Sequence, residues 1–132
     1  MASKVLDSYA LMAFFEDESG ADLVRELILK AEENKISLLM SVVNLGEVWY
    51  SIARTNSPEV ADQYTGEIRG MAIELVDVDW QLTHQAAAFK VNGNISYVDC
   101  FAAALAKLRK AELITGDKEF KSLDGEIKIS WI

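Results

Sequence analysis

The chain has 132 residues, 51% hydrophobic and 26% charged, which fits one globular domain, residues 1–132, and excludes a disordered chain. Its 13 basic and 21 acidic residues leave a net charge of −8, which excludes coating nucleic acid by bulk electrostatics. A single cysteine, Cys100, and a single histidine, His84, exclude an internal disulfide and a His/Cys zinc set.

In chain order, Val5-Leu6 opens a short buried strand and Tyr9 to Phe15 reads as a helix. Asp7 interrupts the only N-terminal apolar stretch that could act as a secretion signal, so a cytoplasmic location is expected. Ala21 to Asn34 is amphipathic, with Leu23, Val24, Leu27, Ile28 and Ala31 at helical spacing. Ile36 to Met40 is a buried strand. The uncharged run from Ile36 to Gly46 falls short of the about 20 residues of a membrane span. Val42 to Arg54 is helical, and Ser57-Pro58 starts another helix with serine as cap and proline at the first helical position. Ile73 to Val76 is a strand and Trp80 to Val91 a helix, broken by Asn92-Gly93-Asn94. Ser96 to Lys110 is an alanine- and leucine-rich helix. Leu113 to Thr115 is a short strand, Lys118 to Leu123 a helical turn, and Ile127 to Trp131 a final strand. Strands alternating with helices imply a parallel sheet with helices on both faces. Short apolar strands without clean alternation fit a sheet buried on both sides. The expected fold class is therefore α/β, a three-layer sandwich with about five strands.

Most acids fall on polar faces or in first helical turns, Glu119 among them, and read as solvated surface. Three do not. Asp7 is the only charge between Val5 and Phe15, Glu47 between Ile36 and Ala53, and Asp99 between Val91 and Ala106. A lone carboxylate in an apolar segment is costly to bury unless it is paired or bound to metal. A fourth, Asp117, follows the strand Leu113 to Thr115 through a Thr-Gly turn. In a parallel α/β sheet, strand C-termini and helix N-termini share one edge, where ligands bind. Asp7, Glu47, Asp99 and Asp117 all point to that edge. Carboxylates gathered there share protons or recruit a hard cation such as Mg²⁺, which can activate water for attack on a phosphodiester. Each acid also has a plainer reading. Asp7 and Asp117 suit helix caps, and Ser96-x-x-Asp99 suits a capping box.

The segments Val5-Leu-Asp-Ser8, Ser41-Val-Val-Asn-Leu-Gly-Glu47, Lys90 followed by Ser96-Tyr-Val-Asp99, Phe101 to Ala106, and Leu113-Ile-Thr-Gly-Asp-Lys-Glu-Phe120 resemble the motifs of PIN-domain nucleases. Within that family they look like VapC-type toxins of toxin–antitoxin pairs. The resemblance covers nearly the whole chain and is specific in the order and spacing of its motifs. It implies a parallel sheet of order 3-2-1-4-5 and a homodimeric endoribonuclease dependent on Mg²⁺ or Mn²⁺. Asp7, Glu47, Asp99 and Asp117 would then hold the metal, Thr115 would support them, and a cognate antitoxin would block the site. Tyr9 departs from the pattern, because many relatives carry a small polar residue there.

Lys90, Lys118 and Arg54 lie close in sequence to these acids and are candidate RNA contacts, with plain surface cations as the alternative. Tyr9, Trp49, Tyr50 and Tyr97 could stack on bases, though core or dimer packing suits them better. Cys100 reads as core and His84 as structural or surface. The helix Ala21 to Asn34 and the one from Ser57 are candidate dimer or antitoxin surfaces. Two other functions compete. A phospho-acceptor receiver domain would use Asp7, Asp77, Thr115 and Lys128, and a catalytically inactive scaffold would only bind a partner.

Overall fold

A computed structural model describes residues 1–132. Five strands, β1 (Ser3–Leu6), β2 (Ser37–Ser41), β3 (Ile73–Val76), β4 (Glu112–Thr115) and β5 (Ile129–Trp131), form one parallel sheet of order β3-β2-β1-β4-β5. Six helices connect them: α1 (Ser8–Phe15), α2 (Ala21–Glu32), α3 (Val42–Thr55), α4 (Pro58–Arg69), α5 (Trp80–Val91) and α6 (Tyr97–Leu108). A 3₁₀ turn covers Lys118–Leu123. The expected class, layering and strand order are all found.

Side-chain alternation along the strands divides the core in two. Val5, Leu39 and Leu113 face α5, α6 and the 3₁₀ turn, packing with Phe89, Phe101 and Phe120. Leu6, Leu38, Met40 and Ile114 face α1 to α4, packing with Leu11, Val24, Leu27 and Val48. Both faces of the sheet are covered, which explains strands that are apolar at successive positions. In α6 every residue from Asp99 to Ala106 is buried. Its alanines let a helix enclosed on all sides pack closely, and Asp99 is the one charge drawn into that enclosure.

Local chemistry accounts for most helix ends. Ser41, Ser57, Asp79 and Ser96 each cap the following helix with a side-chain oxygen. Pro58 stands in the first turn of α4, where no backbone donor is needed. The structure ends α2 and α6 sooner than apolar spacing suggests. Asn34 and Lys110 both have positive φ, at 60° and 52°, which turns the chain out of the helix. The last strand is also shorter than expected, because Ile127 makes only an isolated bridge to Asp124. No helix is long and apolar enough to cross a membrane.

The chain moves outward from β1 to β2 and β3, then crosses back to β4 on the far side of β1. The reversal opens a crevice at the C-terminal ends of β1 and β4. The pairing Leu6↔Ile114 makes the next residues along each strand, Asp7 and Thr115, neighbours at the lip of that crevice.

Candidate active site

The register of β1 and β4 determines the innermost contact. Asp7 is 1% exposed. Its Oδ1 caps α1 by accepting from the Ala10 amide at 2.9 Å, and its Oδ2 accepts from the Thr115 hydroxyl at 2.5 Å. Thr115 Oγ1 in turn accepts from the Asp117 amide at 3.0 Å. One threonine thus ties the first acid to the turn bearing the fourth. Burial pushes Asp7 up to about 7 against the lowering effect of its two hydrogen bonds, with Asp117 and Glu47 adding repulsion.

Asp99 sits in the first turn of α6, its amide donating to Ser96 Oγ at 3.2 Å. No hydrogen bond reaches its carboxylate. Burial raises it to about 8, followed by repulsion from Asp117, Asp7, Glu47 and Glu119. Asp117 caps the 3₁₀ turn through Oδ1, which accepts from the Glu119 amide at 3.0 Å. Glu47, half-buried on α3, accepts from the Tyr50 hydroxyl at 3.3 Å. Partial burial and Glu47 raise that phenol. Capping and clustering therefore coexist, because Asp7 and Asp117 each use Oδ1 for the cap.

All four sequence-selected acids meet at this edge. A cleft of about 350 Å³ is lined by Glu47, Asp99 and Asp117, together with Ser8, Tyr9 and Glu119. Asp7 lies buried below. The tightest cluster, however, is Asp99, Asp117 and Glu119, each with a carboxylate oxygen within 4.8 Å of the others. Glu119 reads as solvated surface on sequence; it is indeed exposed, and the structure adds that it joins this cluster. Its place at the start of the turn, two residues after Asp117, is the signal that could have found it. This all-oxygen donor set suits a hard divalent cation such as Mg²⁺ or Mn²⁺.

Beneath the acids, Asn44 joins three of the elements that carry or adjoin them. It is fully buried, and its Nδ2 donates to Ser8 Oγ at 3.4 Å and to the Val98 carbonyl at 3.3 Å. Ser8 Oγ donates to the Asn44 carbonyl at 3.0 Å. Asn44 Oδ1 is the one buried side-chain polar atom without a partner, an energetic cost located beside the site. Asn44→Ala is expected to destabilise the fold by about 1–3 kcal/mol in urea unfolding, because the buried Ser8 hydroxyl and the Val98 carbonyl each lose an amide donor that ties α1 and α6 to α3. An unchanged midpoint would show that this junction contributes nothing.

Thr115→Val is expected to cost a similar amount, about 1–3 kcal/mol. It should also raise Asp7 further, since a donor to the ionised form is lost. Thr115→Ser should restore both properties. Equal behaviour of the valine and serine variants, in urea unfolding and in carboxylate titration by NMR, would refute the role of the hydroxyl.

The cations are less committed to the cleft. Lys90 donates to the Ile95 carbonyl at 2.7 Å, fastening the loop before α6. The Arg54 guanidinium lies 5.1 Å from the centre of the Tyr50 ring. Lys118 is exposed and makes no ion pair or side-chain hydrogen bond. Tyr9 makes no hydrogen bond to the acids. Its ring lies over Gly116, where an added Cβ would stand 2.3 Å from Tyr9 Cε1 and 3.0 Å from the Ile132 carbonyl oxygen. Trp49 donates to Asp62 at 2.9 Å, joining α3 to α4, and Tyr97 packs edge-on against Phe101. Cys100 is buried in the core, and His84 is exposed with its ring beside Trp80.

The receiver arrangement does not form. Asp77 follows the edge strand β3, with β2 between it and β1, whereas a receiver sheet places its third strand beside the first. Lys128 precedes β5 and so lies at the opposite edge of the sheet.

The family model for the PIN domain matches residues 4–126. No curated protein sequence matches the chain. Among solved structures, VapBC2 from Rickettsia felis, bound to a DNA fragment from its promoter, is similar at TM-score 0.76 and 18% identity, covering 98% of each chain. DNA-bound VapBC from Salmonella typhimurium gives 0.74 and 20%, again covering 98% of each chain. VapC20 of Mycobacterium tuberculosis, a sarcin-ricin loop cleaving toxin, gives 0.69 and 17%, covering 90% of this chain and 93% of that one. Identities this low establish a shared fold.

Proposed function

The chain belongs to the PIN-domain family, and from that premise we propose that it is a divalent-metal-dependent endoribonuclease, the toxin of a toxin–antitoxin pair. The observation that carries this reading is the convergence of Asp99, Asp117 and Glu119 within 4.8 Å, above the buried Asp7, at the crevice between β1 and β4. Two of these acids, Asp7 and Asp99, are raised to about 7 and about 8. Burial is the main cause in both, with repulsion from the neighbouring acids added, and bound protons or a cation would relieve the two together.

Asp7, Glu47, Asp99 and Asp117 would hold one or two Mg²⁺ or Mn²⁺ ions. A bound ion would supply an activated water and stabilise charge on the phosphodiester during in-line attack. The protein's own part is positional. Thr115 orients Asp7, Asn44 holds α1 and α6 against α3, and the cap at Asp117 fixes its carboxylate toward Asp99. Lys90, Arg54 and Lys118 are all exposed, and Lys118, which makes no ion pair or side-chain hydrogen bond, is the cation with the fewest internal contacts to give up for an RNA phosphate. The relatives solved as VapBC support a cognate antitoxin as partner. A homodimer and a cytoplasmic location complete the reading.

The test is cleavage of single-stranded and hairpin RNAs by purified protein with Mg²⁺ or Mn²⁺, with and without EDTA. Cleavage that needs the ion and stops with EDTA is the expected result. Cleavage unaffected by EDTA, or none with either ion, would refute the proposal. Absence of cleavage with either ion would put the inactive-scaffold reading in its place, and binding of no divalent ion would favour it further.

A further inference from the structure

The start of α6 is capped in an unusual way. In a Ser-x-x-Asp start, the serine hydroxyl accepts from the third helical amide and the acid reaches back to the serine's own amide. Only the first half is made here, with Ser96 Oγ accepting from the Asp99 amide at 3.2 Å. The Ser96 amide donates instead to Glu119 Oε1 at 3.0 Å, across 23 positions of sequence. Asp99 is thereby left with a carboxylate that is buried, 6% exposed as a residue, and free of hydrogen bonds. It lies within 4.8 Å of the Asp117 and Glu119 oxygens, among groups of its own charge.

That placement is unfavourable for Asp99 alone. A charge-assisted bond to the Ser96 amide, at the positive end of a helix, would suit it better. We propose that Glu119 is a positioning residue, which occupies the Ser96 amide and so keeps the Asp99 carboxylate turned toward Asp117 for a divalent cation. The inference rests on the metal-dependent reading above and adds a residue to it. Glu119 acts through its acceptor oxygen, and its charge is secondary. Without that acceptor, Asp99 completes its own capping box and leaves the cluster.

Two substitutions separate acceptor from charge. Glu119→Gln keeps an oxygen for the Ser96 amide, and Glu119→Ala removes it. In calorimetric titration with Mn²⁺ and no RNA, Glu119→Gln is expected to bind within about fivefold of the parent protein, and Glu119→Ala to bind roughly 10–100-fold more weakly, the size of effect typical of an outer-shell partner. A crystal structure of the metal-free Glu119→Ala variant is expected to show the Asp99 carboxylate on the Ser96 nitrogen. Three results would overturn the proposal: Glu119→Gln as weak as Glu119→Ala, all three proteins alike, or Asp99 unmoved in the crystal. A parent protein that takes up no Mn²⁺ would refute the metal reading instead, and the position of Asp99 in the variant crystal would still decide the role of Glu119.

Discussion

Asp99→Asn is expected to abolish metal-dependent RNA cleavage while leaving the metal-free protein folded. The substitution keeps the size and shape of a side chain whose residue is 6% exposed, so the packing of α6 is preserved. It removes the one site carboxylate that has no hydrogen bond of its own and feels repulsion from Asp117, Asp7, Glu47 and Glu119. An amide oxygen is a poorer ligand for a hard cation than a carboxylate, so affinity and rate should fall together. The loss should exceed the roughly 10–100-fold typical of an outer-shell partner. At about neutral pH the metal-free variant should melt a few degrees higher than the parent protein, because its asparagine needs no proton on folding, whereas Asp99, raised to about 8 in the fold, must take up one that the unfolded chain has released. The assay compares RNA cleavage and thermal unfolding for the two proteins purified side by side. Equal cleavage by the variant would place the activity elsewhere or in a contaminant. A large fall in melting temperature would show that Asp99 serves the fold and not the site.

The layers and strand order were legible in the sequence because the strands are short apolar runs and the helices carry clear periodicity. Asp7, Glu47 and Asp99 stood out because each is a single charge in an apolar segment, a costly placement that needs a reason. The link between Asp7 and Thr115 was less accessible. It follows from the pairing of Leu6 with Ile114, which becomes clear only when β4 is known to lie beside β1. The capping and site readings of Asp7 and Asp117 look like alternatives in the sequence, yet a carboxylate has two oxygens and each cap uses only Oδ1.

Glu119 was missed for a physical reason. Its partner is a backbone amide 23 residues away, and no residue type marks a backbone donor. On its own turn it looks like any acid in a first helical turn. Lys90 shows the same limit from the other side. Its nearness in sequence to Asp99 suggested an RNA contact, while its ammonium holds the Ile95 carbonyl. Helix ends at Asn34 and Lys110 depend on a left-handed backbone, which neither residue demands strongly enough to reveal in advance.

The metal-free protein is expected to lose stability as pH rises from about 5 to about 8, and millimolar Mg²⁺ or Mn²⁺ is expected to reverse most of that loss. Asp7 and Asp99 start from an ordinary value of 3.8 and are raised to about 7 and about 8 in the fold. Between those limits the folded state holds protons that the unfolded chain has released. Stability from these groups is therefore full below about pH 4 and disappears as pH passes through the folded values. The window comes from burial first and mutual repulsion second, the same causes that make the site attractive to a cation. A divalent ion competes with those protons, so its stabilising effect should grow as pH increases. Loss and recovery on the order of 10 °C in melting temperature are expected for two such groups in a chain of this size. The net charge of −8 adds a general repulsion with the same sign, which an Asp7→Asn, Asp99→Asn double variant separates. That variant should show a flatter pH profile and little response to the ion. A parent profile as flat as the variant's, or a larger ion effect at about pH 5 than at about pH 8, would show that these carboxylates are not strained by their placement.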